Sequence, residues 1–342
     1  MQPGKVDRDF FGTVIEGRLG ADRADVALGP RFGADFGLLS VGDRAVALAT
    51  DPVFVLRDLG LERAAWFAVH VVLSDVALSG LSPSHLAVDL AFPPETDSET
   101  VEAIWTVFDA EARDLGVSIV TGHTGAYAGA SFPTIGAGTA LAVGDPERVV
   151  RPTGASPGDR LLVTRGPAIE TTGILATVFG DELDLPAATV EAARQRFFDT
   201  SPVTSAQVAA DAGPVTAMHD ATEGGLANAL HELAHASDVG LTVEKDAVPV
   251  MDGVEAVCES FDVDPWTASS SGTVLLTVAS GGEAAVLDAL DAADVPAAVI
   301  GEVTEAGGVS ADGKPIHVPE TDPFWPTYER ARAAFGPPEQ RD

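Results

Sequence analysis

The chain has 342 residues, with 52 Asp and Glu against 20 Lys and Arg and a formal net charge of −32; this length suits two domains of roughly 150 residues each. The acids are scattered instead of forming tails, so they read as a whole-surface adaptation that concentrated salt would screen, and with no basic patch they exclude nucleic acid and anionic membranes as partners. No run of about 18 apolar residues occurs, and Met1 to Asp7 is neither basic nor apolar, so the expectation is a cytoplasmic protein without a leader. The single Cys258 excludes an internal disulfide, and its setting among Val254, Val257 and Phe261 predicts a buried structural thiol.

The first half alternates strands with long helices. Val46 to Thr50 is a short apolar strand running into Asp51, and Leu61 to Ser79 is a helix apolar over most of its surface. Thr96 to Leu115 is amphipathic, with Val101, Ile104, Phe108 and Leu115 inward. Strands Val117 to Val120 and Thr134 to Val143 follow. Gly144 to Asp159 is rich in Pro, Gly and Ser and reads as an inter-domain connection. Beyond it come strand Arg160 to Thr164, a Gly166-Pro167 turn, helix Ala168 to Phe179, a helical region Ala187 to Ala212 and strand Pro214 to Met218. Helix Ala227 to Ala236, strand Leu241 to Val243, helix Val254 to Phe261, strand Gly272 to Val278, helix Glu283 to Ala293 and strand Ala298 to Val303 complete an α/β pattern. Phe324 to Asp342 is Pro-bounded and polar and is expected to be a surface tail.

The most informative stretch is His219-Asp220-Ala221-Thr222-Glu223-Gly224-Gly225, set between a strand and a helix. Such a turn offers a carboxylate, a hydroxyl and free backbone N–H groups at one point, the set that holds a phosphate and its metal ion; an ordinary N-cap followed by packing glycines explains the turn equally well. Other carboxylates also sit where an element meets glycine or a hydroxyl: Asp35 in Gly33-Ala34-Asp35, Asp51 after Thr50, and Asp75 after Ser74. Asp75 is in register with Ala68, Val71, Val72 and Ser79 of an apolar helix, which predicts a partly buried carboxylate in need of a metal, a cation or a hydrogen bond. Carboxylates converging from separate elements suit Mg²⁺, which takes oxygen ligands and keeps substrate phosphates in its shell. Thr121-Gly122-His123-Thr124-Gly125 again sets a glycine and hydroxyls after a strand.

In this order the segments resemble the superfamily of aminoimidazole ribonucleotide (AIR) synthetase, selenophosphate synthetase, thiamine-monophosphate kinase and the hydrogenase maturation factor HypE. Gly33 to Asp35, Thr50-Asp51 and Ser74 to Gly80 are similar to its nucleotide and metal motifs, Thr121 to Thr124 to its Thr-Gly-Asp-Thr motif, and His219 to Gly225 to the His-Asp-Pro-Thr-Arg-Gly-Gly motif of the HypE branch. The resemblance implies a PurM-like α/β (α+β) fold. Its N-terminal ATP-binding domain, 1–148, would form a homodimer through its sheet; a C-terminal α/β sandwich domain, 149–322, and a tail, 323–342, would follow. It further implies Mg²⁺ and ATP as cofactors and phosphorylation of an oxygen of a small-molecule or carbamoyl-type substrate; a maturation factor is a further candidate partner. Carried over, Asp35, Asp51, Asp75 and Asp220 would hold metal. Gly33, Thr50, Gly122, His123, Thr124, Thr222, Gly224 and Gly225 would line the nucleotide, and Asp75, Asp220 and His219 would act in catalysis. Electrostatics and positioning supply most of the rate in such transfers.

The sequence departs from the pattern at three places. His123 stands where the superfamily carries a metal-binding Asp, Glu223 where the HypE branch carries Arg, and the chain ends Pro337-Pro338-Glu339-Gln340-Arg341-Asp342 where HypE proteins end in Cys, so cyanide-ligand synthesis by that route is not expected. The competing readings are a thiamine-monophosphate kinase-like phosphotransferase, a non-catalytic ATP-binding maturation or scaffold protein, and a zinc protease. The last rests on His231-Glu232-Leu233-Ala234-His235, with Glu255 as third ligand, a pattern short enough to arise by chance. His70, His85 and His317 read as structural.

Overall fold

The computed structural model describes Val6, residues 10–305 and residues 307–337, so the N-terminal reading of Met1 to Asp7 and the end at Pro338 to Asp342 lie largely outside the described residues. Two sheets organise the chain. The first has the order β1 (Val26–Leu28), β2 (Gly37–Val41), β3 (Arg44–Phe54), β6 (Thr134–Gly144), β4 (Pro83–Phe92) and β5 (Ser118–Ala126). All its pairs are antiparallel except β4 with β5. Residues of β3 alternate between buried and more open, as a half-covered sheet requires: Ala45, Ala47, Ala49 and Val53 face helix α1 (Leu61–Ala77), while Arg44 and Thr50 face the other side. Helix α2 (Ser98–Asp114), whose first turn is capped by Asp97 accepting the Thr100 N–H at 2.7 Å, packs Ile104, Phe108 and Ala112 inward.

The second sheet has the order β13 (Lys314–Pro315), β12 (Val309–Ala311), β9 (Gly240–Val243), β11 (Ala297–Thr304), β7 (Arg160–Thr164), β10 (Val274–Val278) and β8 (Val215–Asp220). Its period-2 alternation feeds two cores. Leu161, Val163 and Leu275 meet Leu226, Leu230 and Leu233 of helix α6 (Gly225–Ser237). Leu162, Leu276 and Val278 point the other way, into the cluster holding Ile174 of helix α3 (Ile169–Phe179) and Val286 of helix α8 (Glu283–Ala292). That second cluster continues without a break into the helix layer of the first sheet. Between α3 and β8 lie α4 (Ala187–Gln195) and α5 (Val203–Ala212); Pro202 precedes α5, so the helical region read as Ala187 to Ala212 is two helices joined by a 3₁₀ turn. Helix α7 (Val254–Phe261) buries Val254, Val257 and Cys258, as the sequence predicts.

The tail is a correction. Residues Phe324–Phe335 form helix α9, with Phe324, Tyr328 and Ala331 buried. Trp325 packs edge-on against Phe54, Tyr328 lies 5.4 Å from the Phe179 ring, and the Tyr328 hydroxyl donates to Asp58 at 2.6 Å. The aromatic spacing Phe324, Tyr328, Phe335 carries this docking beneath a composition that is otherwise polar. Strand β4 has no counterpart in the sequence reading because Pro83, Ser84 and His85 open it, and a Pro is tolerated at a strand's first residue.

Candidate functional site

The two halves meet where the loop before β2 reaches the C-terminal end of β8. Asp35 lies two residues before Gly37, whose register partner is Leu48, so the loop enters beside the Thr50–Asp51 end of β3. Gly33 has φ +78°, and a Cβ there would meet the Glu232 carbonyl at 2.7 Å, so only glycine lets the loop lie this close to α6. The loop delivers Asp35 to His219. Oδ2 of Asp35 accepts from His219 Nδ1 at 2.6 Å, and Oε2 of Glu232 accepts from Nε2 at 3.0 Å. Burial works against charge on the ring, but the two carboxylates override it and hold the His219 pKa well above its ordinary value, so both nitrogens donate. The ring is held between a carboxylate of the first half and one of the second.

Asp220, next on β8 and buried, completes a set: one ligand atom each from Asp35, His219 and Asp220 lies within 4.8 Å of the others. Its two carboxylates are hard oxygen donors of the kind Mg²⁺ takes, so the set could hold that ion. Asp51 and Asp75, read as ligands in the same centre, stand outside this set. They share the layer between β3 and α1: Asp51 pairs with Gly138, a Cβ on Gly138 would meet Val72, and half-buried Asp75 follows Val72 by one helical turn.

The Gly122 to Thr124 segment is not a loop after a strand, because β5 continues to Ala126. Register puts Asp51, Gly138, Val88 and Gly122 in one row across the sheet and Pro52, Ala137, Asp89 and His123 in the next. Adjacent rows point to opposite faces. His123 is therefore on the open face, bonded to the Tyr127 hydroxyl, and Asp51 is on the helix face. Thr50 also looks outward, with its hydroxyl 2.9 Å from that of Thr139.

The turn after β8 has the expected form. Gly224 and Gly225 have φ +78° and +61°, and a Cβ on Gly225 would meet the Ala268 carbonyl at 2.5 Å. Thr222 accepts the Gly225 N–H at 2.9 Å through its carbonyl, and the Gly224 N–H points to Oδ2 of Asp322 at 2.6 Å. Sequence reading missed Asp322, and it missed Glu232, which the short zinc pattern disguised. That pattern builds no centre: His231 Nε2 donates to the Ile316 carbonyl at 2.9 Å, Glu232 is on His219, and exposed His235 meets the Phe32 ring edge. Among the remaining histidines, His70 sits between the Ser201 hydroxyl at 2.7 Å and Glu111 at 3.1 Å, a second contact between the halves, and His85 bonds Ser84.

Comparison with known proteins follows the same division. The N-terminal domain of AIR synthase related protein matches residues 33–142, and its C-terminal domain matches 156–314. This chain belongs to the AIR synthase-related family. Among its relatives are a putative hydrogenase expression/formation protein of Methanocaldococcus jannaschii, 25% identical over 283 residues and covering 80% of each chain, and the carbamoyl dehydratase HypE of Cupriavidus necator, 30% identical over 247 residues, 70% of this chain and 67% of that one. The crystal structure of Escherichia coli HypE, a hydrogenase maturation protein, superposes with a TM-score of 0.68 at 27% identity, over 82% of this chain and 87% of that one. A ThiL protein complexed with AMPPCP and TMP has the same fold, with a TM-score of 0.69 at 22% identity over 86% of this chain and 91% of that one. The mixed α/β, two-domain PurM-like architecture is thereby shown, with HypE among the family members similar to this chain. No described helix is long and apolar enough to cross a membrane.

Proposed function

We propose that this family member uses Mg-ATP to phosphorylate an oxygen of a small-molecule or carbamoyl-type substrate. The observation that carries the reading is the convergence of Asp35, His219 and Asp220 at the junction of the halves. The HypE likeness and the ATP analogue of the ThiL complex support it. Asp35 and Asp220 would hold Mg²⁺, which when bound supplies positive charge to the phosphates. His219 holds the Asp35 carboxylate in place through its bond to Oδ2, and the Thr222 to Gly225 turn offers backbone donors. Asp75 and Asp51 would hold a further metal or orient the nucleotide from the first domain.

The reading includes a homodimer through the first sheet, supported by Val41 and Val143, which are exposed on the face away from α1. A maturation-factor partner is a further candidate, since one structure of this fold is a HypE-HypF complex. Calorimetry with Mg-ATP tests the core of the proposal. Asp75→Asn and Asp220→Asn are each expected to retain the fold and lose at least about tenfold in affinity, about 1.4 kcal/mol. Affinities equal to that of the parent would sink the assignment. Phosphate release with carbamoyl compounds, against thiamine monophosphate as a control acceptor, separates the two substrate classes.

A further inference from the structure

The anion-binding turn already holds an anion, and it belongs to the chain itself. Oδ2 of Asp322 accepts the Gly224 N–H at 2.6 Å and the Ser269 hydroxyl at 2.9 Å, while Oδ1 accepts the Phe324 N–H at 2.7 Å and so starts α9. The far end of α9 is tied to the first domain: Tyr328 donates to Asp58 Oδ2 at 2.6 Å, and Arg332 Nε lies 3.1 Å from the same oxygen. Helix α9 thus straps both halves, with a carboxylate at one end occupying the turn read above as phosphate-facing.

From this geometry we propose that Asp322 is an internal competitor for the phosphate subsite and that α9 is a strap which lets go of the Gly224–Ser269 turn when Mg-ATP binds. The inference rests on the nucleotide reading and adds its regulation. The latch is set under tension of charge. Glu223 on the same turn faces Asp322 with the same sign, and the nearby Glu170 carboxyl, on the Ser271 hydroxyl at 2.7 Å, is held back from ionising in part by the charge of Asp322. Burial and Glu223 raise the Asp322 pKa, whereas the N–H groups of Phe324 and Gly224 and the Ser269 hydroxyl hold it down, so the contact is bonded but not relaxed. A bare phosphate would meet the same carboxylates. A phosphate carrying its own Mg²⁺ brings less negative charge, and the departure of Asp322 removes an opposing carboxylate beside Glu223. A single ligand can shift such an equilibrium only by its preference for one state, and the shared Gly224 N–H provides that preference, because the two acceptors cannot both use it.

Calorimetry with Mg-ATP and hydrogen exchange across 318–337, on the full chain in high salt, test this together. Asp322→Ala is expected to bind Mg-ATP at least fivefold more tightly than the parent. Saturating Mg-ATP is expected to speed exchange in α9 of the parent and to leave that of Asp322→Ala little changed. Ser269→Ala, which removes one anchor and spares the Phe324 contact, keeps the test open should Asp322→Ala fold poorly; it is expected to tighten binding about twofold. If the parent binds Mg-ATP and either the affinity gain or the exchange response is missing, the strap inference is overturned and the nucleotide reading stands. If neither parent nor variants bind Mg-ATP, both are overturned.

Discussion

Glu170 opens α3 with its carboxylate on the Ser271 hydroxyl, and burial, helped by the negative charge of Asp322, pushes its pKa up to about 7. The sign of the consequence is fixed. An unfolded Glu gives up its proton near pH 4.3 while the folded one keeps it, so stability falls as pH rises from the unfolded value through about 7. Glu170→Gln cannot ionise and is expected to lose this decline, a difference on the order of 2 kcal/mol between pH 5 and 8. Denaturant melts of both proteins at fixed high salt check it, and equal slopes against pH would mean that Glu170 is solvated. At this scale the sequence was legible where chemistry forced a residue type at an element's end. Asp35 and Asp220 were found because glycines and strand ends flank them, and they do meet. Glu232 was not, because a carboxylate inside a helix points nowhere until the fold brings His219 to it. Asp322 was hidden by its neighbours, since Ser, Thr, Asp and Pro before a helix read as ordinary capping.

Among elements, the long periodic ones were readable and the short or edge-bearing ones were not. Leu61 to Ser79 and Thr96 to Leu115 are helices within two or three residues of their expected ends, because their apolar periodicity spans several turns. β1, β12 and β13 are too short to show a pattern, and α9 hides two buried aromatics, Phe324 and Tyr328, among charges. β5 was read half right: its inner half was seen, but its glycines looked like a loop, and pairing with β4 alone keeps them extended. That edge strand also leaves Val120 exposed, the kind of apolar edge surface that a partner covers. Val120→Asp is expected to convert a dimer to monomer in analytical ultracentrifugation at molar salt without lowering the monomer's helix content. A parent that sediments as a monomer at micromolar concentration would remove the dimer proposal.

For the molecule as a whole, composition set the broad terms and topology set the rest. Two sheets joined near residues 144–159 follow from the change in composition there, whereas the mostly antiparallel pairing could not be read from an alternation of strands and helices. With a net charge of −32, self-repulsion is expected to make folding depend on salt. Thermal melts should rise steadily toward molar salt, and a melting temperature flat above roughly 0.1 M, where the Debye length is already about 10 Å, would count against this. The seam between the halves bears on inheritance as well as on stability. Asp35 and Glu232 grip one histidine from opposite sides of it, His70 reaches Ser201 across it, and one apolar cluster passes through it. A gene assembled by joining the first half of one homologue to the second half of another would break these grips unless both parents happened to match at each. The two recognisable family segments are therefore expected to be inherited as one piece, and shuffled chimeras crossing over near residue 150 should be rare among functional recombinants.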